Sequence, residues 1–177
     1  MGREYEPIIR INSQSGKGGA AYIMEHNYGY DLPKAMHPEF GAVVQKETDA
    51  VGKEIAPERI LELFQQEYVE AKEPYKMLKH AFQEHTDTIF KVSGEGNGPI
   101  DAFFNAIKGE KMARFTFLDY ASHAITDGSD SQSAAYVLLK DKRDGRLYWG
   151  VGLSHNINLA PLRAILSAIN RAARKNS

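Results

Sequence analysis

The sequence predicts an α+β protein, with a small helical subdomain at residues 1–74 and a second domain at residues 75–177. Over roughly the first 70 residues, apolar side chains recur at helical spacing between prolines and glycines. Beyond them, short stretches rich in β-branched and aromatic residues predict strands. Strands, a polar turn and a helix follow one another twice in this second domain. The repetition predicts two similar units packed around a pseudo-twofold axis.

The composition indicates a globular protein without an obvious charged partner. The 177 residues carry a formal net charge of −1, which gives no reason to expect nucleic acid or an anionic membrane. Cysteine is absent, so disulfides and thiolate metal sites are excluded. No apolar run has membrane-spanning length, and no secretory signal is recognisable. We therefore expect a soluble, cytoplasmic protein.

Three helices are predicted in the helical subdomain. Pro38 and Pro57 suit first helical turns, and Gly52 suits a helix end. Residues 72–75 form a credible domain boundary. The apolar residues of the three helices are Ala20, Ile23 and Met24; Phe40, Val43, Val44 and Val51; and Ile60, Leu63, Phe64 and Tyr68.

The stretch Asn12–Gly19 invites comparison with a nucleotide-binding loop. That loop requires the pattern G-x-x-x-x-G-K-[ST]. Here Gly18 follows Lys17, and no glycine stands five residues before Gly16. We therefore reject a nucleotide loop and expect the start of a helix.

The second domain is predicted element by element from the same patterns. A hairpin turn at Asp141–Gly145 is indicated by its Asp-Gly pair. The predicted elements are strands at Lys76–His85 and Thr86–Val92, a helix at Pro99–Ile107, a strand at Ala113–Leu118, a loop at Leu118–Gly128, strands at Ser131–Leu139 and Arg146–Val151, a turn at Gly152–Asn158 and a helix from Pro161.

Two stretches are candidate binding elements. The glycine-rich turn Gly94–Pro99 opens a helix whose free N–H groups suit an anion, although a plain tight turn would have the same sequence. The loop Leu118–Gly128 combines Tyr120 with small and acidic residues. Together they offer what a zwitterionic amino acid needs, while a solvated loop anchored by Tyr120 is the equally simple alternative.

Catalysis by this chain is not expected. The six histidines form neither an H-x-H nor an H-E-x-x-H pair, so no metal ligand set is predicted. Ser122 and His123 are adjacent, and neighbours in sequence rarely point at one another. An independent enzyme would need a nucleophile or metal set that the sequence does not offer.

Several linked motifs resemble the C-terminal part of 2-isopropylmalate synthase over essentially the whole chain. The motifs stand in the same order as in that family. They are Asn12–Ile23, Asp31–Lys34, Gly94–Pro99, Leu118–Tyr120 with His123–Ala124, Trp149–Gly152 and Asn170–Arg171.

The resemblance implies a regulatory role. The family enzyme is an acyltransferase that condenses acetyl-CoA with 3-methyl-2-oxobutanoate in leucine biosynthesis, using a divalent metal in an N-terminal TIM barrel. Nothing in this chain matches that barrel, so we expect a piece of a longer protein, or a separate subunit, that is inactive alone and holds no cofactor. The implied fold is a linker subdomain followed by a regulatory domain of two pseudo-symmetric βββα units, which dimerises and binds leucine as feedback inhibitor.

The resemblance also implies the residues that contact leucine. They are Gly98, Ile100, Asp101, Phe117, Tyr120, Ala124, Ser131, Ser133 and Ile157. The chain departs from the family at Ser122, where glutamate is usual, at Ser131 and Ser133, where alanines are common, and at the bulkier Phe117. We expect a more polar and tighter pocket. A dimerisation domain with a vestigial pocket and the isoleucine-sensing domain of a citramalate synthase remain alternatives.

Overall fold

The computed structural model describes residues 18–78, 81–84, 89–90, 98–106, 111–125 and 131–175. The predicted α+β class is confirmed, since helices and two three-stranded antiparallel sheets are both present. The chain divides after Phe64 into two compact units. The stretches Asn12–Lys17 and Gly94–Asn97, as well as Asp127, lie outside the described residues.

The described part of the first unit is helical. Aromatic packing centres on Phe64, whose ring lies 5.0 Å from that of Tyr30 and 5.5 Å, edge-on, from that of Phe40. The predicted helices are confirmed here. Their bounds are α1 (Gly18–Tyr28), α2 (His37–Val51) and α3 (Pro57–Phe64), with a 3₁₀ turn at Lys34–Met36 between α1 and α2.

Helix α2 ends where the sequence predicted, but its last residue faces outwards. Gly52 is left-handed (φ 69°), and its N–H donates to the Thr48 carbonyl at 2.8 Å. The prediction that Val51 belongs to the buried face is wrong, because this terminal residue is 53% exposed. Thr48 is buried instead, and its hydroxyl donates to the Val44 carbonyl at 2.7 Å.

The second unit contains strands followed by a helix, twice over, as predicted. In each sheet the strands pair antiparallel with their neighbours in sequence, giving the orders β1-β2-β3 and β4-β5-β6. The elements are β1 (Tyr75–Leu78), β2 (Ala81–Glu84), β3 (Ile89–Phe90), α4 (Pro99–Ala106), β4 (Phe115–Ile125), β5 (Gln132–Asp141), β6 (Leu147–Ser154) and α5 (Leu159–Lys175).

One predicted strand and one predicted loop differ from the structure. The stretch Lys76–His85 contains two strands, not one, since β1 and β2 pair with each other up to Leu78 and Ala81. The loop predicted from Leu118 is wrong as far as Ile125, because β4 continues through it. Small and polar residues favour a loop locally, but pairing with β5 along the whole segment overrides that preference.

Residues 65–74, predicted to end the helical subdomain, contact the last helix of the second unit. A π-helical turn at Gln65–Val69 presents Glu67 and Tyr68 to Arg171. The Arg171 guanidinium donates to Glu67 at 2.7 Å and lies 4.2 Å from the centre of the Tyr68 ring. The second compact unit accordingly begins at Gln65, while the domain boundary at residue 74 stays a prediction.

Helix α5 packs directly on β6 because glycines let the backbones approach. A Cβ atom on Gly150 would lie 2.0 Å from the Ala164 carbonyl oxygen, and one on Gly152 would lie 2.0 Å from that of Ala160. Every fourth residue of this helix face is alanine, from Ala160 to Ala172. The core of the second unit thus forms between α5 and the sheet β4-β5-β6.

Candidate functional site

A cavity of about 880 Å³ lies in the second unit, where the starts of α4 and α5 meet strand β4. This volume falls within the range of roughly 300–1,000 Å³ that is usual for small-ligand pockets. The lining residues are Gly98, Ile100, Asp101, Phe104, Phe115, Thr116, Phe117, Tyr120, Ser122, Ser133, Lys142, Ile157, Asn158 and Pro161.

A β-bulge in β4 brings two aromatic side chains to the same wall of the cavity. In a regular strand, residues three apart such as Phe117 and Tyr120 point to opposite faces of the sheet. The pairing register of β4 shifts between Phe117 and Asp119, where Leu118 is the extra residue. The bulge therefore turns Phe117 and Tyr120 to one face, and both line the cavity.

The start of α4 offers backbone N–H groups to the cavity. The first hydrogen bond of the helix runs from the Ala102 N–H to the Gly98 carbonyl at 2.9 Å. Ile100 precedes that bond, so its N–H has no acceptor within the helix. The positive end of the helix dipole lies at the same place. This wall of the cavity is suited to a carboxylate.

The start of α5 resembles that of α4 in sequence, but several of its backbone N–H groups already donate hydrogen bonds within the turn. The Asn156 carbonyl accepts the N–H groups of Leu159 and Ala160 at 3.1 and 3.2 Å. The Asn156 side-chain oxygen accepts the N–H of Asn158 at 2.9 Å, and Pro161 has no N–H. Helix α5 therefore contributes side chains to the cavity, while α4 contributes the amide donors for an anion.

Charged groups of both signs line the cavity. Asp101 belongs to the first turn of α4, and Lys142 to the turn between β5 and β6. Both residues are exposed. The Lys142 N–H donates to the Arg114 carbonyl at 2.9 Å, which fixes the backbone of that turn. A ligand with a positive and a negative group would find an opposite charge for each.

The remaining wall is apolar and open to solvent. The Phe104 and Phe117 rings lie 6.1 Å apart. Phe117, Tyr120 and Ile157 are 37%, 39% and 71% exposed, and the bulge residue Leu118 beside them is 46% exposed. Apolar side chains grouped around a cavity in this way indicate a binding surface.

The structure brings together most of the residues that the resemblance implied. Ala124 is not among the lining residues, although its partner on β5, Ser133, lines the cavity. Ser131 is not either: it precedes β5, and its carbonyl oxygen lies 3.2 Å from His155 Nδ1. The seven that line the cavity are Gly98, Ile100, Asp101, Phe117, Tyr120, Ser133 and Ile157.

Other lining residues were missed by sequence reasoning. Phe104 belongs to the predicted helix Pro99–Ile107 and Lys142 to the predicted hairpin turn, and neither was predicted to line a site. Ser122 lies in the candidate binding stretch Leu118–Gly128 but was not itself predicted as a ligand contact. The periodicity of the helix and the turn signal carried no information about the cavity, because the three segments meet only in the folded unit.

Within the described ranges, two other kinds of site are not found. No group of three or more His, Cys, Asp or Glu side chains there could hold a metal ion. No helix of the described residues is long and apolar enough to cross a membrane.

The second unit is an α+β domain built from two βββα units, with a cavity of the size that is usual for small ligands. The chain belongs to the family of the LeuA allosteric (dimerisation) domain, whose model matches residues 54–173. Residues 1–25 match the model of the alpha-isopropylmalate synthase post-catalytic domain-like family. The resemblance drawn from the sequence motifs is therefore confirmed.

Similar proteins cover nearly the whole chain. It is 45% identical over 193 residues to the 2-isopropylmalate synthase of Clostridium acetobutylicum, covering 99% of this chain and 34% of that protein. It is 41% identical to the 2-isopropylmalate synthase of Thermobifida fusca and 40% identical to that of Corynebacterium efficiens, covering 97% of this chain and 32% of each of those proteins. The chain thus spans about a third of the length of these relatives.

Proposed function

We propose that the chain is the effector-binding region of a 2-isopropylmalate synthase and that its cavity binds leucine. The observation that carries the proposal is the cavity between α4, β4 and α5, which seven of the nine implied leucine contacts line. The family description, an allosteric domain, supports a regulatory role.

The lining suggests how leucine would be oriented. Its carboxylate would accept N–H groups at the start of α4, and its ammonium would pair with Asp101. Its side chain would then contact the apolar wall of Phe117, Tyr120 and Ile157. Lys142 would add a second favourable charge for the carboxylate. Each group of the ligand thereby meets a complementary group of the protein.

The proposed regulation is feedback inhibition in leucine biosynthesis. Leucine would bind one conformation of the protein more tightly and so shift the population towards a state in which condensation of acetyl-CoA with 3-methyl-2-oxobutanoate is slow. The catalytic TIM barrel with its divalent metal would precede this region in the native cytoplasmic enzyme. We expect the chain to act as a homodimer and to catalyse nothing by itself.

Thermal unfolding with and without ligand tests whether the cavity is used. At a concentration 100 times its dissociation constant, leucine would stabilise the folded state by about 2.7 kcal/mol and raise the melting temperature. D-leucine at the same concentration is the matched control, because it places the same three groups in the wrong chirality. An unchanged melting temperature in saturating leucine would contradict the proposal.

A second candidate function is a dimerisation domain whose pocket no longer binds an amino acid. Ser133 lines the cavity at a position where alanine is common in the family, so its hydroxyl makes this part of the wall more polar than the family pattern predicts. Ser122 replaces the usual glutamate and removes a charge from the lining. These departures from the family pattern also make isoleucine a candidate ligand. A melting temperature raised by isoleucine more than by leucine would favour an isoleucine sensor.

A further inference from the structure

A second cavity, of about 410 Å³, lies elsewhere in the second unit. It is lined by residues of β1, β6 and α5 and by the segment that follows the π-helical turn. None of its lining residues lines the cavity proposed for leucine. Its volume also falls within the range of roughly 300–1,000 Å³ for ligand pockets.

The rim of this second cavity carries only positive charge. Lys72, Lys76 and Arg163 line it and are exposed, and no aspartate or glutamate is among the lining residues. Within the described part of the chain, none of these three cations has an ion-pair partner. Arg163 uses one N–H to donate to the Leu153 carbonyl at 2.7 Å, so most of its five donors remain for a ligand.

The polar groups on the floor are already engaged by the protein. The Ser167 hydroxyl donates to the Tyr68 carbonyl at 2.6 Å and accepts the Val151 N–H at 3.1 Å. The Asn170 amide group donates to the carbonyls of Ala71 and Tyr75, each at 2.8 Å. A ligand would therefore gain its polar contacts from the cations of the rim.

The walls below the rim are apolar. Val69, Met77 and Leu153 line the cavity and are half-buried, and Leu166 behind them is buried. A ligand that fits must combine an anionic group with a small apolar body. An ammonium group would meet three cations and no acid, which disfavours amino acids here. This cavity differs in that respect from the first, where Asp101 is present.

We propose that this second cavity binds a short-chain carboxylic acid, with its carboxylate held by Lys72, Lys76 and Arg163. The branched or linear alkyl chain of the acid packs against Val69 and Met77. This site is separate from the proposed leucine site and does not depend on it.

Nuclear magnetic resonance titration of the full chain with isovalerate tests the proposal. Isovalerate carries a carboxylate and a branched alkyl chain but no amino group, and isopentylamine is the same alkyl chain with the opposite charge. We expect isovalerate to cause saturable shifts of the amides of Lys76, Leu153 and Arg163, weaker at raised ionic strength because the contacts are exposed charges. Isopentylamine causes none.

Paired lysine substitutions locate the site. Lys72→Gln with Lys76→Gln removes two cations from the rim, and we expect isovalerate affinity to fall about tenfold. Lys140→Gln is the matched control, since Lys140 is exposed on β5 and does not line the cavity. Circular dichroism checks that each variant is folded, as expected for exposed side chains. Saturating leucine leaves isovalerate binding in place.

Three results would overturn the proposal. One is the absence of saturable shifts with isovalerate at low ionic strength. Another is equal affinity of the folded double variant and the Lys140→Gln control. The third is displacement of isovalerate by leucine, which would assign the acid to the first cavity. Failure of leucine to bind at all leaves these isovalerate readouts unaffected, so the two proposals fail separately.

Discussion

Substitution of Tyr120 tests the proposed leucine cavity with little disturbance of the fold. Its ring lines the cavity, yet 39% of the residue is exposed, so it contributes modestly to the core. Its position depends on the bulge at Leu118, and the strand around it is held by pairing with β5. Removing the ring changes the wall of the cavity and leaves the backbone pairing intact.

We expect Tyr120→Ala to weaken leucine binding about tenfold or more without unfolding the domain, because an aromatic contact is lost while the ladder is kept. Calorimetry gives the affinity, and melting curves without ligand give the stability. Tyr22→Ala is the control, since Tyr22 is 49% exposed on α1 in the first unit. Equal leucine affinity in the two variants would place the ligand elsewhere.

Asp141 is a buried carboxylate whose ionised form stabilises the second unit. Burial acts to raise the pKa of Asp141. Hydrogen bonds from the N–H and guanidinium of Arg143 and the charges of Arg114 and Arg143 outweigh burial and hold the pKa below its ordinary value of 3.8. A folded-state pKa below the unfolded value means that this stabilisation is complete well above pH 3.8 and is lost as the pH falls through the folded-state pKa.

Asp141→Asn should lower the free energy of unfolding by about 1–3 kcal/mol at pH 7, because Arg114 loses its partly buried counterion. The difference from the parent should shrink as the pH falls below 3.8, because the carboxyl is then protonated in the unfolded parent and, at still lower pH, in the folded parent as well. Urea denaturation at pH 7 and at pH 3, followed by Trp149 fluorescence, measures both. Asp144→Asn is the control, because it removes an ion pair with Arg146 at an exposed turn. A difference independent of pH would contradict the assigned role.

At the scale of elements, sequence patterns predicted the helices, whose apolar residues are periodic, and missed strand bounds that depend on pairing with a neighbouring strand. The apolar spacing of α2, α3 and α5 predicted these helices and most of their buried residues. The extent of β4 was not predictable, since residues after Leu118 are small or polar and become a strand only because β5 pairs with them. The bulge left no sequence signal either, although it decides which side chains face the cavity.

The contact between β6 and α5 leaves no room for a side chain at Gly150 or Gly152. The Gly150 Cα lies so close to the helix that a Cβ would overlap the Ala164 carbonyl at 2.0 Å and the Ala168 amide nitrogen at 2.4 Å. Both neighbours are backbone atoms, which cannot rotate away. The glycines of β6 are therefore required by packing.

We expect Gly150→Ala to destabilise the second unit by at least about 3 kcal/mol, because the helix must move off the sheet. Trp149, the single tryptophan, is buried on the same strand and reports this unfolding by fluorescence in urea. Gly98→Ala is the control for stability, since among the described residues no atom beyond the chain neighbours lies within 4 Å of an added Cβ there. Equal stability of the two variants would show that α5 does not pack this closely.

At the scale of the whole molecule, the order of elements was predictable and the cavity was predictable in part. The repeat of strands, turn and helix could be recognised from residues alone, and residue types suggested that the start of α4 and the segment around Tyr120 form one binding site. The contribution of Ile157 at the start of α5 came only from the family resemblance, because these segments are far apart in sequence. The two helix starts are similar in sequence but differ in hydrogen bonding: the N–H groups of Asn158, Leu159 and Ala160 bond to Asn156, whereas the Ile100 N–H has no acceptor within α4.

The exposed apolar residues beside the cavity lead to a prediction about assembly. If the proposed homodimer covers Leu118 and Ile157, a carboxylate at either position would be buried without a partner. We expect Leu118→Asp and Ile157→Asp to weaken dimerisation at least tenfold in sedimentation equilibrium. Leu147→Asp is the control, because Leu147 is 51% exposed but does not line the cavity. A parent chain that is monomeric at high concentration would contradict this assembly.

Isothermal titration calorimetry of the folded chain with leucine, isoleucine and valine measures whether the cavity binds a branched-chain amino acid. We expect saturable binding, with leucine bound more tightly than isoleucine or valine and with one leucine for each chain. We also expect Tyr120→Ala to lower that affinity while Tyr22→Ala does not. No binding of any of the three amino acids to a folded dimer would contradict the claim that this cavity is an amino-acid sensor.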